Sequence, residues 1–145
     1  MKIQIKALRD GAVMPSRGSQ YAAGYDLYAC IDEDIEIFPG KTEKVGTGIS
    51  VAVPEGYFGA VFARSGLAMK QGLRPANCVG VCDSDYRGEY IVALHNDSDK
   101  IRTVHNGDRI AQLVIIPFYE AEFEWAAELS QTARGEGGFG STGIK

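Results

Sequence analysis

A chain of 145 residues is long enough to bury a core in one domain, and 45% apolar against 23% charged residues is the balance of an ordinary water-soluble fold. Its formal net charge of -4 excludes a general nucleic-acid or membrane-surface binder, which needs a basic face, and leaves only local arginine clusters to hold a small anion. No apolar run reaches the roughly 20 residues of a membrane span, and the opening MKIQIKALRDG lacks the apolar segment of a secretory leader, so a cytoplasmic protein with no membrane partner is expected.

In chain order, short apolar or alternating runs are separated by turn chemistry. IQIKAL, DIEIF, KVGTGISVAV, YFGAVFA, EYIVALHN, RIAQLVIIPF and EAEFEW are each of strand length, and several are rich in Val, Ile, Phe and Tyr. FPGK, VPEG, YRGE and HNGD between them supply Gly, Pro, Asn and Asp for tight turns. The alternation in DIEIF and EAEFEW predicts strands with one wet face. The one helical candidate is SGLAMKQG, just after Arg64. The pattern predicts an all-β, jelly-roll-like sandwich or barrel with at most one short helix, compact over residues 1–129. A polar SQTA and a glycine-rich, flexible arm, residues 130–145, follow it.

The three cysteines, Cys30, Cys78 and Cys82, give no zinc pattern. CVGVC has no matching pair and neither histidine lies near it, so reduced, packed thiols are expected.

Five stretches combine residue types whose local propensity does not explain them. AGYDLYA, residues 23–29, sets Asp26 in an apolar run; such an acid is ordinarily an edge or turn residue, but it can also support a metal's water shell. ARSGLA, residues 63–68, makes a strand-to-helix corner with Arg64, Ser65 and Gly66, which suits an anion. NCVGVCDSDYRGEY, residues 77–90, reads as a β-hairpin whose Asp83 and Asp85 would share a face if extended, so composition does not choose between them. NGDRIAQLVI, residues 106–115, places Gln112 among apolar neighbours, where a buried amide needs a partner. In ARGEGGFGSTG, residues 133–143, the match to G-x-G-x-x-G is set aside because no strand precedes it and no helix follows. Its convergent N–H groups, with Arg134, Ser141 and Thr142, suit a polyphosphate, and Phe139 suits a flat base; alone, it also reads as a plain disordered terminus.

In this order, AGYDLYA, RSGLA, GVCDSDYRGE, GDRIAQLVI and RGEGGFGSTG closely resemble the five signature motifs of the trimeric deoxyuridine triphosphatases, over essentially the whole chain. The resemblance implies Mg2+-dependent hydrolysis of dUTP to dUMP and pyrophosphate in a homotrimer with shared sites. It matches Asp83 to the general base acting on water at the α-phosphorus. Asn77, Gly80 and the main chain at Ile91 match the uracil-reading groups, and Tyr86 the ring beneath the deoxyribose. Arg64, Ser65 and Gly66 match the holders of the α- and β-phosphates, Gln112 a group near the attacking water, and Asp26 an outer-shell partner of Mg2+. In the arm, Phe139 matches a residue stacking on uracil, while Arg134, Gly138, Gly140, Ser141 and Thr142 match the groups gathering the β- and γ-phosphates. Cys82 stands where a bulkier aliphatic residue is common, which points to sensitivity toward thiol reagents. Two rivals differ in class. A dCTP deaminase needs a glutamate at the base ring, and none is read in the hairpin; a dUTP-gated regulatory binding protein needs the same intact site.

Overall fold

The computed structural model describes residues 1–138. Eleven strands and one helix are present among them: β1 Gln4–Ala7, β2 Tyr25–Tyr28, β3 Ile35–Ile37, β4 Thr42–Gly46, β5 Ile49–Ala52, β6 Tyr57–Phe62, α1 Ser65–Gln71, β7 Leu73–Pro75, β8 Val79–Cys82, β9 Ile91–Asn96, β10 Arg102–Val104 and β11 Arg109–Pro117. The strands pair antiparallel in four sheets: β2-β11-β6-β8, β4-β9-β7, β1-β5 and β10-β3. The fold is mostly β with one short helix, and these sheets do not close on one another into a barrel.

The inward residues of the alternating strands meet in one core. Leu27, Ile37, Val45, Leu94, Ile110 and Leu113 come from β2, β3, β4, β9 and β11 and are all buried. Asn96 is buried among them without penalty, because its amide donates to the Ile37 and Lys100 carbonyls at 2.7 and 2.8 Å and its Oδ1 accepts from Ser98 N–H. The predicted SGLAMKQG helix forms as α1. Gly72, at φ +69°, closes it in the left-handed cap conformation, with its N–H on the Ala68 carbonyl. No residue of α1 is fully buried, and the helix makes a corner between β6 and β7 that packs on the core through Leu67.

Two expectations fail. Residues 77–90 are not a hairpin: β8 pairs with β6, whereas β9 pairs with β4 and β7, so the loop between β8 and β9 crosses from one sheet to another. EAEFEW forms no strand among the described residues. β11 ends at Pro117, and Phe123 and Trp125 are 94% and 104% exposed. An alternating run needs a neighbouring edge to pair with, and this segment finds none among the described residues. All three cysteines are free thiols; Cys30 is buried and Cys82 half-buried, but Cys78 is exposed, because it occupies a turn at φ +62°. Among the described residues no helix is long and apolar enough to cross a membrane.

Candidate active site

β8 carries the chain out of the four-stranded sheet at Cys82, and the residues that follow wall a pocket of about 270 Å³ lined by Asn77, Gly80, Asp83, Tyr86, Tyr90 and Ile91 among others. The crossing between sheets makes this pocket, since β8 supplies one wall and the start of β9 the other. Asp83 lines it and is exposed; Asp85 does not line it, which separates two carboxylates that composition left equivalent. Tyr86 is 44% exposed and is not a core aromatic. Its hydroxyl donates to the Glu89 carbonyl at 2.9 Å, and its ring lies 6.2 Å from that of Tyr90. Gly88 permits this pose, because a Cβ there would collide with the Tyr86 hydroxyl.

The loop is stitched down along its length. Arg87 donates to the carbonyls of Ser84 and Tyr86, and Ser50 donates to that of Arg87. A glutamate does line this pocket. It is Glu89, whose two oxygens accept from Arg9 at 2.6 and 2.8 Å, with Gly48 N–H a further donor to Oε1. Three of its four lone pairs are taken by the neighbouring backbone and a guanidinium, which suits an anchor of the loop. Below, Tyr90 is buried with no hydrogen-bond partner for its hydroxyl among the described residues, beside Cys82; the Cβ that Gly59 lacks would lie 2.8 Å from that hydroxyl and 3.5 Å from Cys82 Cβ. Burial pushes the Cys82 thiol up, so little of it is the reactive thiolate at neutral pH.

A second cluster sits on the other side of the same sheet's register. Asp26 of β2 pairs with Gln112 of β11, Gln112 with Phe62 of β6, and Phe62 with Val79 of β8. Arg64, in extended conformation at the head of α1, donates from Nε to Asp26 Oδ1 at 2.7 Å and from Nη1 to the Arg109 carbonyl at 3.2 Å. Arg109 Nη1 donates to Asp26 Oδ2 at 3.1 Å. The amide of Gln112 meets the need expected of it by donating to the Ala63 carbonyl at 2.8 Å, and Gly24 leaves space for that side chain. Ser65 and Gly66 follow, both exposed. Each Asp26 oxygen is taken by one arginine but keeps a second lone pair, so this carboxylate suits accepting from a metal-bound water and not ligating the ion itself. Among the described residues no group of three His, Cys, Asp or Glu side chains is gathered to hold a metal.

The structure therefore brings the expected residues together as two groups and not one. Asn77, Gly80, Asp83, Tyr86 and Ile91 share the pocket, while Asp26, Arg64 and Gln112 share the charged cluster. Asp83 lies four positions beyond Val79, which marks the cluster's row; at about 3.3 Å per residue that is ~13 Å along β8. Arg134 lies in an exposed stretch with its Nε on the Gly137 carbonyl, and with the half-exposed Gly138 it stands apart from the pocket lining. Phe139, Gly140, Ser141 and Thr142 lie outside the described residues. Sequence reasoning missed Arg109 and Glu89.

The family model for dUTPase matches residues 10–143. The chain belongs to the dUTPase family. It is 48% identical over 142 residues to the deoxyuridine 5'-triphosphate nucleotidohydrolase of Syntrophotalea carbinolica, covering 98% of this chain and 97% of that relative. To that of Hydrogenobaculum sp. it is 46% identical over 145 residues, covering 100% of both chains. A mutant dUTPase of Staphylococcus bacteriophage 80alpha, solved with dUpNHpp, superposes with a TM-score of 0.86 at 30% identity, with 99% of each chain covered. A mutant dUTPase from phage phi11 of S. aureus, described with a structural Mg(II) ion, superposes with a TM-score of 0.77 at 28% identity, covering 88% of this chain and 98% of that one.

Proposed function

We propose that this protein hydrolyses dUTP to dUMP and pyrophosphate, which removes dUTP from the nucleotide pool and supplies dUMP for thymidylate synthesis. The observation that carries the reading is the family's motif set laid out as two complementary surfaces, an uncommitted carboxylate beside an aromatic-walled pocket and a guanidinium cluster fit for phosphates. Asp83 orients a water and takes its proton as the water oxygen bonds to the α-phosphorus; the bond from that phosphorus to the bridging oxygen breaks, and pyrophosphate leaves with the electron pair. A carboxylate is a modest base, so positioning and charge stabilisation supply most of the rate. Asn77, Gly80 and the main chain at Ile91 read the uracil edge, where cytosine would leave polar groups unpaired. Tyr86 lies under the deoxyribose and leaves no room for a 2′-hydroxyl. Asp26 is the residue that would reach the water shell of a Mg2+ bound with the substrate, and the ion would offset the charge of the phosphates.

Among the described residues the two surfaces are lined separately, and this supports a homotrimer in which each site draws on several subunits. Tyr119, Phe123, Trp125 and Leu129, at 99%, 94%, 104% and 88% exposure, are an apolar strip in need of cover, which a neighbouring copy supplies. Residues 1–129 then form a jelly-roll core and residues 130–145 an arm that closes over the nucleotide, with Phe139 on the base and Arg134, Gly138, Gly140, Ser141 and Thr142 around the outer phosphates. The deaminase rival is disfavoured by the committed carboxylate of Glu89. Pyrophosphate release measured across dUTP, dCTP, dTTP and UTP, with and without Mg2+, tests the reading. Release confined to dUTP and dependent on Mg2+ is expected; ammonia from dCTP without dUTP cleavage would overturn it.

A further inference from the structure

Tyr86 stands on an irregular stretch, residues 83–90, that joins β8 to β9. Its ring is half-exposed, and its far end is steadied at the Glu89 carbonyl, to which the hydroxyl donates at 2.9 Å. A ring that excludes a single hydroxyl must not retreat, because a shift of about 1 Å is enough to change what a site accepts. Whatever holds the Glu89 peptide therefore decides how stiff that ring is.

Glu89 is held through its side chain, which is 19% exposed and lies against the end of β4 and the turn into β5. Its Oε1 accepts from Gly48 N–H at 2.7 Å and from Arg9 Nη2 at 2.6 Å, and Oε2 accepts from the same Arg9 nitrogen at 2.8 Å. Gly46 opens the slot for this pair, since a Cβ there would lie 2.6 Å from Glu89 Oε1 and 3.1 Å from Arg9 Nη2. Arg9 is delivered to it from the end of β1, where Leu8 N–H donates to the Gly48 carbonyl at 2.7 Å. The same turn grips the next residue along: buried Thr47 donates from its N–H and its hydroxyl to the Tyr90 carbonyl, and Tyr90 N–H donates to the Ile49 carbonyl at 2.9 Å.

An ion pair this near the surface adds little stability, but it selects one geometry. Thr47 and Ile49 already hold the chain at Tyr90, so closing the loop does not call for Arg9. What the pair adds is a fixed direction for the Glu89 peptide, and through its carbonyl for the Tyr86 hydroxyl.

We propose that Arg9 and Glu89 set sugar selectivity: they are positioning residues whose pairing stiffens the peptide behind Tyr86, so that the ring rejects a ribose 2′-hydroxyl. This rests on the dUTP hydrolysis proposed above and on the place given there to Tyr86. Asp83 directly follows β8, and Asn77 and Gly80 precede its end, so water activation and base reading lean on the sheet and not on this brace. Loosening the pair acts on UTP more than on dUTP.

The test measures kcat/KM for dUTP, UTP and dCTP, with melting temperature, in the wild type, Arg9→Met, Arg9→Lys and Glu89→Gln. The ratio of dUTP to UTP is expected to fall roughly 10-fold in Arg9→Met and Glu89→Gln, the scale on which a site that loses its fit stops rejecting an added group. Arg9→Lys keeps a charged donor for Glu89 and is expected to recover part of the selectivity. The ratio of dUTP to dCTP is expected to hold in all three. Should Arg9→Met lose its fold, Arg9→Lys and Glu89→Gln carry the test. An unchanged ratio of dUTP to UTP in the folded variants overturns the proposal. So does an equal fall in both ratios, which is what a merely structural anchor gives. A wild type that cleaves dUTP and UTP alike also overturns it, whereas a wild type that releases no pyrophosphate from dUTP overturns the proposed function itself.

Discussion

The pocket beside Asp83 and the cluster around Asp26 are built on opposite plans. In the cluster every charged group is paired: Asp26 takes Arg64 and Arg109, and Gln112 takes a carbonyl. In the pocket, Asp83 lines the wall exposed, and the Tyr90 hydroxyl is buried with no partner among the described residues. Paired charges on a sheet resist reorganisation and give a fixed electrostatic field, which is what phosphate recognition needs. An uncommitted carboxylate on a loop keeps its lone pairs for a water, which is what base catalysis needs. Under the proposed function, one sheet thus supplies a clamp on its strand register and a reactive group where a strand ends.

Breaking the reactive half alone has the largest expected effect. Asp83→Asn keeps the shape of the pocket and removes the base, so kcat is expected to fall by about 10²- to 10⁴-fold, the usual worth of a positioned general base. Binding of a non-hydrolysable dUTP analogue, measured by calorimetry, is expected to stay near wild type because the clamp is untouched. Near-normal kcat would remove Asp83 from its role. Next in size is deletion of residues 134–145. Residues 119–136 are exposed, so the core loses no packing on that account. The truncated chain is expected to keep its wild-type melting temperature and lose activity on the order of 10²-fold, the scale of losing an element that positions and sequesters substrate. Unfolding on truncation would show the segment to be structural and would leave the contrast between the two halves without a lid to join them.

Sequence pattern revealed what depends on neighbours in the chain. Turn residues delimit β3, β6 and β9, and a glycine stop ends α1 at Gly72. The motif residues were legible because their types conflict with their local runs, as Gln112 does in β11. What the pattern could not give is who pairs with whom. Residues 77–90 contain two strands and a turn, as a hairpin does, and only long-range registry with β6 and β4 assigns β8 and β9 to different sheets. EAEFEW alternates correctly but has no edge to pair with among the described residues. Arg109 was hidden for a sharper reason: period-two reasoning puts it on the wrong face, and no composition cue marks the bulge at Ile110. Glu89 was passed over because a glutamate in a polar turn carries no sign of pointing inward.

The smallest expected effect probes the floor of the pocket. Tyr90 and Cys82 lie side by side under Asp83 and Tyr86, and burial raises both of their ionisation points above the ordinary thiol and phenol ranges. The folded state therefore holds protons that the unfolded state releases from about pH 8.5 for a thiol and about pH 10 for a phenol. Stability is full below that window and declines as pH rises through it. Tyr90→Phe removes a hydroxyl that has no hydrogen-bond partner among the described residues, so at pH 7 its urea midpoint is expected to correspond to a change within about 1 kcal/mol. Above about pH 10 the variant is expected to lose stability less steeply than wild type, because the phenol no longer contributes to the slope. A loss of more than about 2 kcal/mol at pH 7 would mean that the hydroxyl is satisfied in the assembled protein. The pocket would then be as fully paired as the arginine clamp, and the contrast drawn between the two halves would not hold.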